Sequence, residues 1–221
     1  MYWEKPGWLP NVLTALQTTT SWSSRALSEA NNYYFDVVPL HLYSRSVDLY
    51  DKVVAARQTL VAYGVTSQYG VTEKDLWINE TNMPACNDLP GQPCPAQGKG
   101  SLTDQTHFLI QAIAYTFAAG TQRIILHQLR DDGIGEAYGL FRNDNTARPV
   151  YTTYQVVAEY FRGFSQATRT TSGAVDRVVL TGTPRGRVTA LWKNTPGNIT
   201  YSLAATAPRP PEYTPMVTPK S

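Results

Sequence analysis

Leu76-Trp77-Ile78-Asn79-Glu80-Thr81-Asn82 runs a short, apolar, β-favouring segment straight into a carboxylate and then into a polar, proline-containing loop. An apolar run without polar alternation predicts a strand buried on both faces, as in a parallel sheet. Glu80 then sits where the strand ends and its loop begins. In an α/β barrel the carboxyl ends of the strands form the face that carries chemistry, so an acid there is a candidate nucleophile or proton carrier. The plainer reading is a loop-edge Glu that caps the next helix or pairs with an Arg, and position by itself leaves both open.

Outward from this strand the chain alternates. Residues 34–43 are β-rich (Phe35, Val37, Val38, Leu40, Leu42, Tyr43), and residues 49–63 space Leu49, Val53, Ala56, Leu60 and Tyr63 for one buried helical face, with Asp48 as cap and Gly64 as terminator. After the strand around Ile78 comes a Pro- and Gly-rich loop over 81–101, too long for an idle connection. Residues 103–118 read as a helix capped by Thr103, residues 123–129 as a second buried strand, and residues 150–161 as a helix opened by Pro149. Strand and helix in alternation predict parallel βαβ units. Two short helices, 8–17 and 24–31, precede them. Beyond Gly163 the pattern changes to short strands at 175–181, 187–193 and 199–204, an antiparallel sheet, and then a proline-rich tail from 207 that should be extended or disordered.

Composition narrows the classes of function. The 221 residues are 42% hydrophobic and 11% aromatic, enough for a packed core, and the formal charge of +2 gives no case for nucleic acid. No apolar run approaches the ~18 residues that cross a membrane, so no membrane partner is expected. The residues from Met1 to Trp8 lack the pattern of a signal peptide. The 14 Tyr and 5 Trp against 6 Phe suit a surface where rings both pack and meet polar ligands, and equally suit an ordinary core. Cys86 and Cys94 share the 81–101 loop. Two thiols do not complete a structural zinc site, and no metal or organic cofactor is expected. A local disulfide is the preferred reading, which implies an oxidising compartment; two free thiols are the other.

Three strand ends carry polar groups together: His41-Leu42-Tyr43-Ser44, Asn79-Glu80-Thr81-Asn82, and His127-Gln128 with Asp131 and Asp132 beyond. In parallel strands these ends converge, so a pocket lined by His41, Tyr43, Glu80 and Gln128 is expected. A carboxylate nucleophile needs donors that hold and orient it, and Tyr43 or His41 could supply them. His41 and Tyr43 as a hydrogen-bonded core pair is the structural alternative.

With residues 35–44 (Phe-Asp-Val-Val-Pro-Leu-His-Leu-Tyr-Ser), the Leu76–Asn82 stretch and residues 138–151 (Tyr-Gly-Leu-Phe-Arg-Asn-Asp-Asn-Thr-Ala-Arg-Pro-Val-Tyr) in this order, the chain resembles the carboxyl-terminal half of a clan A glycoside hydrolase. The resemblance implies a partial (β/α)₈ barrel, strands six to eight with their helices, over residues 1–163. A small antiparallel β region over 164–206 and a tail over 207–221 follow. It implies cleavage of O-glycosidic bonds in a poly- or oligosaccharide with retention, with Glu80 as nucleophile. His41, Tyr43, Asn82, His127, Gln128 and Asp132 fall where sugar-contacting groups are expected. The family's proton donor, a Glu usually after Asn at the end of strand four, has no counterpart before Tyr34, so it is expected on a missing amino-terminal half of the barrel. Many members end strand eight with Trp, where His127-Gln128 stands here. The carbohydrate substrate and that missing half are the expected partners, and the longer protein is expected outside the cell or in the periplasm. A non-catalytic carbohydrate-binding or surface protein with a degenerate barrel is the rival reading, and an α/β protein without sugar function a third.

Overall fold

The structure is a computed structural model that describes residues 7–18, 24–65, 73–88, 100–132 and 136–203. Cys94 and the tail from 207 lie outside the described residues. The elements run α1 (Trp8–Thr18), α2 (Arg25–Ala30), β1 (Val37–His41), α3 (Ser46–Ala62), β2 (Asp75–Thr81), α4 (Leu102–Ala118), β3 (Arg123–Leu126), α5 (Pro149–Tyr160), β4 (Gln166–Ser172), β5 (Val175–Thr183) and β6 (Gly186–Lys193). The fold is mixed α/β: a parallel sheet in the order β1-β2-β3 and an antiparallel sheet in the order β4-β5-β6.

The parallel sheet has two unlike faces. Val38, Leu40, Leu76 and Ile78 alternate onto one face and are buried with Leu49, Val53, Ala56 and Leu60 of α3 and Leu9 and Leu13 of α1. The register Pro39–Trp77–Arg123 marks the other face, which is only partly covered. There the Arg123 guanidinium lies 4.8 Å from the Trp77 ring centroid, and Ile125 is 49% exposed.

Lys74 fixes where β1 and β2 begin. Its side chain is buried, and Nζ donates to the carbonyl of Asn32 (2.6 Å), Asn32 Oδ1 (2.5 Å) and the carbonyl of Phe35 (2.5 Å). These acceptors belong to a turn in which Asn32, Tyr33 and Tyr34 have φ of 55°, 57° and 60°. Left-handed backbone costs roughly 1–2 kcal/mol per non-glycine residue, and the ammonium gathers the carbonyls that hold the turn in that shape. Burial pushes the Lys74 pKa below its usual value.

Several local expectations are corrected. Helix α4 is capped by Ser101, not Thr103: Ser101 Oγ accepts from Asp104 N and the Asp104 carboxylate accepts from Ser101 N, a capping box. Asp48 stands in the first turn of α3 with Arg45 at the cap position. Residues 199–203 are not a strand, and the third antiparallel strand is instead β4, whose Thr-rich sequence has no apolar alternation.

The antiparallel sheet packs on the parallel unit's helices. Leu109, Ile113 and Ala114 of α4 and Val150 and Val157 of α5 are buried in one cluster with Val178, Leu180 and Ala190. A buried carboxylate joins the two. Asp176 accepts from Tyr115 Oη (2.5 Å), Asn194 Nδ2 (3.2 Å), Arg169 Nη2 (3.3 Å) and the Thr171 hydroxyl, while Trp192 Nε1 donates to Tyr115 Oη (3.1 Å). Burial opposes ionisation of Asp176, but these donors outweigh it and hold the carboxyl below its ordinary pKa. Burial and the neighbouring Asp176 raise that of the Tyr115 phenol. Tyr115→Phe takes one donor from Asp176 and leaves the Trp192 indole N–H without its acceptor. The expected loss is about 1–3 kcal/mol, read as a lower urea midpoint at unchanged slope; an unchanged midpoint would show that the network does not hold the two sheets together.

Candidate active site

A bulge in β2 turns Glu80 outward. Leu40 pairs with Ile78, but His41, the next residue of β1, pairs with Glu80, so Asn79 is an extra residue. The pairing with β3 shifts in the same place, Ile78 to Ile124 and Thr81 to Leu126. Strict alternation would put Glu80 on the covered face with Leu76 and Ile78, and Thr81 on the open one. With the extra residue Thr81 is buried and donates through its hydroxyl to the Leu42 carbonyl (2.6 Å), while Glu80 joins His41 on the open face. Backbone bonds from Leu42 N to Glu80 O (3.0 Å) and from His127 N to Thr81 O (2.9 Å) tie the three strand ends together beyond the ladder.

Both carboxylate oxygens of Glu80 have polar neighbours. Tyr43 Oη donates to Oε1 at 2.5 Å, and His41 Nδ1 lies 3.1 Å from Oε2. The side chains of His41 and Glu80 are 28% and 34% exposed, so the carboxylate is held and still reachable. The Tyr43 hydrogen bond and the His41 contact fix the orientation of the carboxylate.

Three rings stand around this pair. Tyr43 and Tyr138 meet edge to face with centroids 5.6 Å apart, His127 and Tyr138 at 5.3 Å, and Tyr43 and His127 at 6.4 Å. The peptide between His127 and Gln128 is cis. Tyr138 opens the 138–151 stretch, and no local pattern marks it as a site residue. Its backbone is pinned: Asn82 Nδ2 donates to the Tyr138 carbonyl (2.7 Å), and the neighbouring Ala137 carbonyl accepts from Ala85 N (2.9 Å) and Gln105 Nε2 (3.2 Å).

The other predicted site residues separate. Asn82 is buried, and its Oδ1 accepts from Met83 N (2.8 Å), so its amide positions the Tyr138 loop. Gln128 lines an apolar hollow of about 430 Å³ between α4, β3 and α5, with Phe117, Leu129, Val157 and Phe161. Asp132 is exposed, and Asp131 beside it accepts from Arg148 Nη2 (2.5 Å). Cys86 is disulfide-bonded, and Cys94 lies outside the described residues. Among the described residues no group of three or more His, Cys, Asp or Glu is arranged to hold a metal ion, and no helix is long and apolar enough to cross a membrane.

A buried ion cluster braces the loops that carry these groups. Arg148, with a side chain 2% exposed, donates through Nη2 to Asp88 (2.7 Å) and Asp131 (2.5 Å) and through Nη1 to the Gly139 carbonyl (2.7 Å). Arg142 Nη2 adds a bond to Asp88 at 2.7 Å. One guanidinium thus ties the loop after β2 to the loop after β3, beside Tyr138. Burial works against the Asp88 carboxylate, but Arg142 and Arg148 outweigh it and hold the group below its ordinary pKa.

No family model and no curated protein matches the chain. Among solved structures it is similar to a family 39 glycoside hydrolase from the gut symbiont Bacteroides cellulosilyticus WH2, with 13% identity and a TM-score of 0.49. The alignment covers 65% of this chain and 27% of that one, so the chain spans well under a third of that hydrolase. The likeness concerns the course of part of the backbone, and no residue's role follows from it.

Arg148→Met removes a buried cation from between two largely covered carboxylates, and the expected cost is about 3 kcal/mol near neutral pH. Because the folded pKa of Asp88 is depressed, its contribution is present above the unfolded carboxylate value and fades as pH falls through the folded one. The gap between wild type and variant in urea unfolding should therefore narrow on acidification; a gap constant from neutral to strongly acidic pH would contradict the ion-cluster assignment.

Proposed function

We propose that the chain is the carboxyl-terminal part of a retaining glycoside hydrolase of the barrel type, with Glu80 as its nucleophile. The observation that carries this reading is the outward-turned Glu80, bonded on one oxygen by Tyr43 and in contact with His41 on the other, at the carboxyl end of a central parallel strand. A carboxylate so placed attacks the anomeric carbon from one face of the sugar and forms a glycosyl–enzyme ester, which water then cleaves. Tyr43 and His41 orient the attacking oxygen and take up the charge when the carboxylate leaves. Retaining chemistry needs a second carboxyl about 5–5.5 Å from the first, which protonates the leaving oxygen and then activates water. We assign it to strands that precede residue 1 in a longer protein.

The half-covered sheet face supports that assignment. Parallel sheets are ordinarily covered on both sides. On this face Trp77 Nε1 has no hydrogen-bond partner among the described residues, and neither does Asn79 Oδ1 beside the bulge, although both atoms are buried. Buried polar atoms without partners are rare in complete folds. No metal or organic cofactor enters this chemistry. Secretion to an oxidising compartment fits the disulfide at Cys86.

Three forms of the protein test the proposal in a glycoside hydrolysis assay: residues 1–221, the longer protein, and the longer protein with Glu80→Gln. Turnover is expected only from the second, with the substitution lowering kcat by more than about a thousandfold, roughly 4 kcal/mol of barrier. Turnover by residues 1–221 would place the proton donor within them. A longer protein that binds sugars without hydrolysing any glycoside would favour the binding-protein alternative.

A further inference from the structure

Two triplets of the chain have the Asn-x-Thr form that accepts an N-linked oligosaccharide: Asn79-Glu80-Thr81 and Asn198-Ile199-Thr200. Such triplets recur by chance, and the sequence does not separate these two from an ordinary strand end and strand start. Their surroundings in the fold are opposite.

The first triplet is taken up by the parallel sheet. Asn79 is the extra residue of the β2 bulge, and its Oδ1 is buried. Glu80 is held by Tyr43 and His41. Thr81 is buried, and its hydroxyl donates to the Leu42 carbonyl at 2.6 Å. β2 is the middle strand of its sheet, so an enzyme could engage this amide and this hydroxyl only by pulling the strand out.

The second triplet is open. β6 ends at Lys193, and the next residue still holds to the sheet: Asn194 N donates to the Ala174 carbonyl (2.9 Å) and its side-chain amide to Asp176 (3.2 Å). A turn then leads away from the ladder. Lys193 Nζ donates to the Pro196 carbonyl (2.6 Å), and Gly197 has φ of 96°, which a residue with a Cβ adopts only under strain. Asn198, Ile199 and Thr200 follow outside any strand or helix, all exposed, with no hydrogen-bond partner among the described residues. The amide and the hydroxyl that the modification requires are therefore both accessible. Ile199 and Leu203, each 52% exposed, add apolar surface on either side of Thr200, which a bulky hydrated glycan would shield. The disulfide at Cys86 belongs to a chain that passes through an oxidising compartment, the setting in which such triplets are used.

We propose that Asn198, on the irregular segment after β6, is an acceptor site for an N-linked oligosaccharide, and that Asn79 is not. In the transfer, Asn198 Nδ2 attacks the anomeric carbon of an oligosaccharide joined to a lipid through a diphosphate. The new N–C bond forms as the bond from that carbon to the diphosphate oxygen breaks. The lipid diphosphate leaves, and the amide gives up one proton. The assignment is independent of the role of Glu80.

Incubating folded residues 1–221 with a single-subunit oligosaccharyltransferase and its lipid-linked oligosaccharide tests the site, with intact mass and glycopeptide mapping as readouts. The expected product carries one oligosaccharide per chain, on Asn198. Transfer should be lost in Asn198→Gln and in Thr200→Ala and kept in Thr200→Ser, which retains the hydroxyl. Urea midpoints of the three unmodified variants should equal that of wild type, because the replaced side chains hold nothing in the fold; a lost glycan then reports the acceptor and not unfolding. A folded chain that takes no sugar at Asn198, equal transfer to Asn79, or transfer that survives Thr200→Ala would each overturn the assignment.

Discussion

One extra residue in β2 governs the open end of the parallel sheet. Because side chains alternate strictly along a strand, the covered face that takes Leu76 and Ile78 would also take Glu80 if the strand were regular. The bulge at Asn79 moves Glu80 beside His41 and lets Thr81 go inward to the Leu42 carbonyl. A carboxylate on the covered face would have to shed its hydration among leucines, at a cost that would raise its pKa or unfold the strand end. The same exchange that spares the core a charge gives the open face a held carboxylate.

Around that exchange the structure relies on buried polar groups, each completed by donors or acceptors from distant parts of the chain. Lys74 collects carbonyls of the turn before β1, Arg148 collects Asp88 and Asp131 from two loops, and Asp176 collects donors from α4 and the antiparallel sheet. Such groups contribute little net stability when complete and cost much when one partner is lost. Their effect is specificity of arrangement: the loops after β2 and β3 have one position in which both aspartates meet the Arg148 guanidinium. That position also carries Tyr138 to the edge of Tyr43.

The sequence made the strand–helix alternation legible because apolar runs at 37–42, 76–78 and 123–126 and helical stripes at 49–60 and 103–117 are strong periodic signals. Convergence of His41, Tyr43 and Glu80 was also legible, since parallel strands bring their carboxyl ends together. The bulge was not, because one extra residue in Leu-Trp-Ile-Asn-Glu leaves no trace in hydrophobic pattern. Strand β4 was hidden for a related reason: Gln166–Ser172 has no apolar face, and only its threonines hinted at β structure. Residues 199–203, at the expected strand near Ile199, pair with no strand among the described residues. Tyr138 and the Arg148 cluster depend on contacts across 54 to 60 residues, as in Arg142 and Arg148 to Asp88. No local pattern encodes such pairings. The same distance hides the roles of Asn82 and Asp131, which hold loops where exposed neighbours such as Asp132 drew attention.

The central claim is that Glu80 is the atom-bonding group and not merely a partner for Tyr43 and His41. Covalent trapping tests it most directly. A longer protein that supplies the proposed further strands is incubated with 2-fluoro glycosyl fluorides, which form the ester quickly and hydrolyse it slowly, and the labelled peptide is sequenced by mass spectrometry. The account predicts one glycosyl group per chain, on Glu80, and none when Glu80 is Gln. A label on another carboxylate, or steady hydrolysis of the parent glycoside with no trapped ester, would contradict it.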